Sequence, residues 1–153
     1  SDAEEVAEGV LLKSQREPEE KKIPYLGYLL SNIAFDSGIS VEMAHQIVKA
    51  AEQLTYRQLC ILRLAVKKDR FALRSENYRE QGLCSKETYQ VLYECFDLYH
   101  KGFIHFEGTV AFGPTNITPS KMTIQGLGAD LHSLMELDEI PRQDLVPIAV
   151  RLS

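Results

Sequence analysis

Cys95, His100 and His105 recur at intervals of five residues, and with Cys84 they are the side chains best suited by type to a soft metal ion. Zinc sites normally draw on close ligand pairs. Positions five apart on a helix diverge, and Gly102 interrupts this segment, so the spacing assigns neither a metal nor a cofactor. Gly126-Leu127-Gly128 stands ahead of a helical run but lacks the third glycine and the downstream acid of a dinucleotide fingerprint. It reads as the start of a closely packed helix. His45 and His132 border apolar helix faces as rim or core histidines, and the acid pairs Glu4/Glu5 and Glu19/Glu20 lie in a charged arm where solvation accounts for them. The Asn116-Ile117-Thr118 sequon has meaning only on a secreted chain. No phosphate loop, nucleophile elbow or zinc-protease helix signature occurs, so the residues predict no enzyme. Phosphate contact is the chemistry that remains. Arg74, Arg79, Lys86 and Lys121, with Arg70, make a candidate basic rim, and Lys86 and Gln90 open a helix whose start could reach base edges.

The elements that must position these residues follow from caps and periodicity. Ser85 is a candidate N-cap, Lys86 to Lys101 runs without a breaker, and Gly102 is placed to end the helix as a left-handed residue. Phe103-Ile104-His105-Phe106 reads as a strand, and a loop rich in Gly, Pro and Asn leads to a second strand at Lys121-Met122-Thr123-Ile124. Gln125 to Leu137 returns to helical periodicity. Upstream, Ile23, Leu26, Leu30 and Ile33 fall at helical spacing. Ser37-Gly38 breaks that helix, and Ser40 caps the next, whose apolar face is Val41, Ala44, Val48 and Ala51. Thr55 and Gln58 have capping-box spacing, and Leu59 to Val66 is apolar on most sides, which makes this the most buried helix. Phe71-Ala72-Leu73 suits a short strand, and Ser75 a cap for a helix over Glu76 to Gln81 that Gly82 ends.

From Thr55 the order is helix, strand, helix, turn, helix, strand, loop, strand, helix. In that order the chain resembles the winged helix-turn-helix family across roughly half its length. Gly82 and Leu83 match the turn glycine and the apolar residue after it, Val91 fits the buried position of the second helix, and Tyr78 takes the place of a small residue where the helices cross. Tyr78 there means splayed helices or a shifted register. The segment Lys21 to Asp36, with Leu54-Thr55-Tyr56-Arg57-Gln58-Leu59, is also faintly similar to soluble parts of bacterial abortive-infection proteins. The expected fold is mainly α with a small β-hairpin: a charged arm over 1–22, a helical extension over 23–54, a winged-helix-like domain over 55–137 and an apolar tail over 138–153.

The winged-helix resemblance implies duplex DNA as a partner, and charge argues against it. The net charge is -5; residues 1–53 hold ten acids against five Lys or Arg, whereas 54–136 hold nine acids against ten. A strong DNA binder usually presents a basic face. On the second helix Tyr89, Leu92, Cys95, Phe96 and Tyr99 are expected to face the core, which leaves an exposed stripe of Lys86, Glu87, Gln90, Glu94, Asp97 and Lys101 with an acidic middle. The loop brings no compensation, because Phe103 to Ser120 contains no Lys or Arg and one acid, Glu107.

The other reading is a recognition or regulatory module that acts by protein association, as a homo-oligomer or with a protein partner. Leu145, Val146, Ile148, Val150 and Leu152 make the tail too apolar for a free end, so it docks on its own domain or on a partner. Three cysteines without CxxC spacing suggest reduced, packed thiols. No apolar run approaches the roughly 20 residues that cross a bilayer, and nothing resembles a signal peptide, so a cytoplasmic location is expected. The opening Ser-Asp, in place of Met, suggests a piece of a longer protein.

Overall fold

The computed structural model describes residues 2, 4–6, 19–36, 38–81 and 84–153. They are mainly helical with one small antiparallel sheet, as expected. The chain divides into two compact units, Ser1–Leu59 with Asp130–Glu139, and Cys60–Ala129 with Ile140–Ser153. Most of the expected charged arm, Pro18 included, lies outside the described residues, as do Ser37, Gly82 and Leu83.

In the first unit, helix α1 (Ile23–Phe35) begins with Pro24 in its first turn, where a missing N–H costs nothing. Its buried stripe is Tyr25, Leu26, Leu29 and Ile33, a correction to the expected face. Ile23 is exposed and Leu30 half-buried, because Tyr25 turns inward to meet the rings of Tyr28 and Tyr56, each at 5.9 Å. Helix α2 (Val41–Gln53) is capped by Ser40, whose hydroxyl accepts from Met43 N at 3.1 Å, and buries Ala44, Ile47, Val48, Ala50 and Ala51. Lys22 is buried, and its ammonium donates to the Glu52 carbonyl at 3.2 Å, near the end of α2 where orphan carbonyls favour a cation.

Helix α3 (Tyr56–Val66) opens with the expected reciprocal cap. Gln58 N donates to the Thr55 hydroxyl and Thr55 N to the Gln58 amide oxygen, both at 3.1 Å. Leu59 to Ala65 are then buried apart from the half-buried Arg63, as the apolar run predicts.

In the second unit, residues 71–81 depart from expectation. Phe71-Ala72-Leu73 is not a strand: Arg74 N donates to Leu152 O at 2.8 Å and Arg74 O accepts from Ser120 N at 3.0 Å, single bonds to two different partners that do not make a ladder. The expected helix over 76–81 is a single 3-10 turn, Arg79–Gln81. An α-helix starting at Glu76 needs the carbonyls of Glu76 and Asn77 for its own ladder. The Arg74 guanidinium takes both, with Nε at 3.1 and 3.2 Å and Nη2 on Asn77 O at 3.0 Å. Asn77, and not Ser75, caps the turn, its Oδ1 accepting from Arg79 N at 3.1 Å.

Helix α4 (Lys86–His100) matches expectation at both ends. Ser85 Oγ accepts from Thr88 N at 3.1 Å, and Gly102 ends the helix at φ 80. Strands β1 (Ile104–Phe106) and β2 (Met122–Ile124) pair antiparallel with His105 opposite Thr123. Between them the loop is pinned by 3-10 turns at Pro114–Asn116 and Pro119–Lys121 and by the fully buried Ile117.

Helix α5 (Leu127–Leu134) is shorter than the expected span of 125–137. In the first unit, Asn32 Nδ2 donates to Leu134 O at 2.8 Å and to the Glu136 carboxylate at 3.3 Å, while Glu136 turns left-handed at φ 51 and stops the helix. A 3-10 turn, Leu137–Glu139, follows. Helix α6 (Arg142–Arg151) carries the apolar tail and packs within the second unit. Leu145, Ile148, Ala149 and Leu152 are buried, and the Arg142 guanidinium lies 4.6 Å from the Phe71 ring centre.

Candidate functional site

Helix α4 presents two exposed tyrosines, Tyr89 and Tyr93, on its outer face. Ser85 and Gly102 fix its ends, and Val91, Leu92, Cys95 and Leu98 hold its inner side. Lys86 and Gln90 are exposed on its first turns, as expected. Tyr89 is not on the core side as the sequence suggested: it is 43% exposed, and Tyr93 one turn later is 60% exposed. The inward arc is centred on Leu98 and Val91, and this rotates Tyr89 to the rim. The acidic middle is weaker than the sequence implies. Asp97 pairs with Lys101 at 2.6 Å, and Glu94 is half-buried.

The loop between the strands packs against α4, with Ala111 N donating to the Tyr99 hydroxyl at 3.4 Å and the Tyr99 and Phe106 rings 5.3 Å apart. Two of its apolar side chains nevertheless face outward: Phe112 is 86% and Val110 59% exposed. Glu107, its one acid, accepts from the Thr123 hydroxyl at 2.9 Å and lies 3.6 Å from the Lys68 ammonium. The Thr123 hydrogen bond first, and then Lys68, hold its carboxyl below the usual carboxylate range.

A polar cleft of about 530 Å³ lies in the same unit. It brings together Arg74 and Lys121 of the candidate nucleic-acid-contacting residues, whereas Arg70, Arg79, Lys86 and Gln90 are exposed elsewhere on the unit and do not line it. Arg74 is fixed by the carbonyls of Glu76 and Asn77 and by the Tyr78 ring, 4.9 Å below its guanidinium. Burial pushes the Tyr78 hydroxyl above its usual range against the opposing Arg74 charge, and that hydroxyl is buried with no hydrogen-bond partner among the described residues. Ser75, Asn77, Thr109 and Thr118 complete the donor side of the cleft, and Glu76 and Glu80 stand against them. Sequence reasoning missed the four donors because they come from three separated stretches with no shared period.

Of the tail residues expected at an interface, Leu145, Ile148 and Leu152 are spent inside the second unit, while Val146 and Val150 stay exposed. In the first unit, two hollows of about 360 and 560 Å³ share Asp36, Ser133 and Leu134, with Asp130 lining one and Glu136 the other. Among the described residues no group of three or more His, Cys, Asp or Glu side chains is placed to hold a metal ion. Cys95 is buried while His100 is exposed and stacked on Phe96 at 6.3 Å. None of Cys60, Cys84 and Cys95 forms a disulfide. No described helix is long and apolar enough to cross a membrane. No protein-family model matches this chain, and no curated protein or solved structure does either.

Proposed function

We propose that this chain is a non-enzymatic, winged-helix-like recognition module that associates with a second copy of itself through the outward face of α4 and the loop between the strands. The observation that carries this reading is the loop. Phe112 and Val110 stand in solvent in a stretch, Phe103 to Ser120, that has no Lys or Arg. Exposed aromatic side chains suit the desolvated centre of a protein interface. Tyr89 and Tyr93 on α4 extend the same kind of surface, since a tyrosine brings a large contact area with few rotamers to fix. Three cysteines outside any disulfide accord with a reducing, cytoplasmic setting.

The second reading is duplex DNA, favoured by the pairing of Arg74 with Lys121 and by Lys86 and Gln90 at the start of α4. A loop without cations would contribute little to phosphate binding.

Sedimentation velocity over a wide concentration range tests the association. The expected result is a mass that rises with concentration in the wild type and stays monomeric in Phe112→Ser/Tyr93→Ser, both substitutions being at exposed positions. A monomer throughout, with salt-sensitive binding of mixed-sequence duplex lost in Lys86→Ala, would replace association with the DNA reading.

A further inference from the structure

We infer that the polar cleft of the second unit is a binding site for a tetrahedral oxyanion, a phosphate or phosphomonoester group, independent of the association surface proposed above. Its groups are donors of the right kind. Asn77 spends its amide oxygen on Arg79 N, which leaves its amide nitrogen as the donor. Arg74 uses Nε and one Nη2 hydrogen on the carbonyls of Glu76 and Asn77, and with five N–H groups in its fork it keeps the rest for a ligand. The guanidinium is thereby held in place before any ligand arrives, and little side-chain entropy is lost on binding. Lys121 has no ion-pair partner among the described residues and adds a second cation.

Thr118 is the most telling residue. It is only 6% exposed, it lines the cleft, and its hydroxyl has no hydrogen-bond partner among the described residues. Its side chain is buried except where the hydroxyl opens to the cleft, so a ligand oxygen there would replace water on a donor already fixed in place. Ser75 and Thr109 bring the hydroxyls to three around one space. A carboxylate offers two acceptor oxygens; a phosphate offers enough for both cations and the hydroxyls together. Two acids line the cleft, Glu80 and Glu76, and the Glu76 carboxylate lies 3.7 Å from Arg74 Nη2, largely in solvent. It acts as the internal counter-ion that a ligand must displace, and this sets a signature a general basic patch would not have: removing an acid and removing a base act in opposite directions.

The test uses the full, isotopically labelled chain and inorganic phosphate, with ionic strength held constant by chloride and amide shifts as the readout. The expected result is saturable movement centred on Ser75, Asn77, Thr109 and Thr118. Binding should be about tenfold weaker in Lys121→Ala and a few-fold weaker in the near-isosteric Thr118→Val, as loss of a charge-assisted and of a neutral hydrogen bond respectively. Glu76→Gln should bind tighter, and acetate more weakly than phosphate. A short duplex that displaces phosphate would identify the source as a nucleic-acid backbone; one that does not would identify a free phosphomonoester. Shifts that follow chloride equally well, an unchanged affinity in Lys121→Ala, or weaker binding in Glu76→Gln would overturn the inference.

Discussion

Gly128→Ala sets local propensity against packing, and the two make opposite forecasts. Gly128 lies in the first turn of α5, and in a helix alanine is preferred over glycine by about 1 kcal/mol. Propensity alone therefore predicts a more stable protein. The structure predicts the reverse, because a Cβ at this position would lie 2.1 Å from the Phe103 carbonyl oxygen, 2.9 Å from its carbon and 3.1 Å from its Cα. All three are backbone atoms, so no rotamer change relieves the overlap. Nor is that carbonyl free to retreat: it accepts from Gln125 N at 3.0 Å, Phe103 N donates to Leu98 O at 2.9 Å, and β1 begins at the next residue. Relief requires a backbone shift of about 1 Å, which belongs at the upper end of overpacking costs, about 3 kcal/mol. Offset by the helix preference, the net loss is about 2 kcal/mol. In urea this is a fall of about 1 M in midpoint, and on heating a fall in Tm of about 4–8 °C. Gly27→Ala is the internal control. Gly27 also lies within a helix, but nothing stands within 4 Å of its added Cβ, so that variant should gain about 0.5–1 kcal/mol. If Gly128→Ala is as stable as Gly27→Ala, the close approach of α5 to Phe103 is wrong.

Thr55→Ala should cost about 1 kcal/mol in urea unfolding, and a cycle with Gln58→Ala should be strongly non-additive, since each residue caps the other's backbone; additive losses would mean that the two caps act separately. For Glu107 the folded pKa lies below its ordinary 4.5, so the unfolded chain binds its proton more readily. Its contribution is therefore present above pH 4.5 and is lost as acidification continues below it. Glu107→Gln should flatten that part of the stability curve, and a carboxyl resonance titrating at or above 4.5 would refute the assignment. Tyr78 has the opposite sign: burial raises its pKa above the ordinary 10.0, so the stability tied to the neutral phenol is present below pH 10.0 and lost as the pH rises beyond it. In phenolate absorbance one tyrosine should titrate after the others. Tyr78→Phe should abolish that late step and raise stability by about 1 kcal/mol, because it deletes a buried hydroxyl that has no partner; a loss of stability would reveal a hydrogen bond that the structure lacks.

Where a single side chain closes a helix end on its own backbone, the sequence was readable. Ser40, Thr55 with Gln58, and Ser85 each cap a bond three residues away, and Gly102 adopts the positive φ its position demands. The hairpin was equally plain, since Gly102 and the Gly- and Pro-rich loop bracket two short apolar strands. Readability failed where long-range partners took over the backbone. Leu152 and Ser120 claim the two sides of Arg74, and Asn32 from α1 decides where α5 stops. The cleft was invisible for a related reason: Ser75 and Asn77, Thr109, and Thr118 with Lys121 sit in three stretches that only the folded loop unites. Tyr89 was misplaced because an amphipathic helix defines the centre of its buried arc far better than its edges.

The departure from expectation at residues 71–81 and the proposed site share one origin in Arg74. A long cation next to a polar run would ordinarily extend into water, and Glu76 to Gln81 would then be free to complete a helix. Here the guanidinium folds back over Tyr78 and occupies the carbonyls of Glu76 and Asn77, so the segment is held as a turn at the cost of a helical ladder. Stability alone does not explain that exchange. The bonds gained are partly exposed, and they come with a tyrosine hydroxyl buried without a partner. What the arrangement does secure is position. It holds a cation in a cleft with Lys121 and three hydroxyls, one of them on the nearly buried Thr118. A local departure from propensity with no evident gain in packing is the pattern expected where a chain is shaped for a ligand.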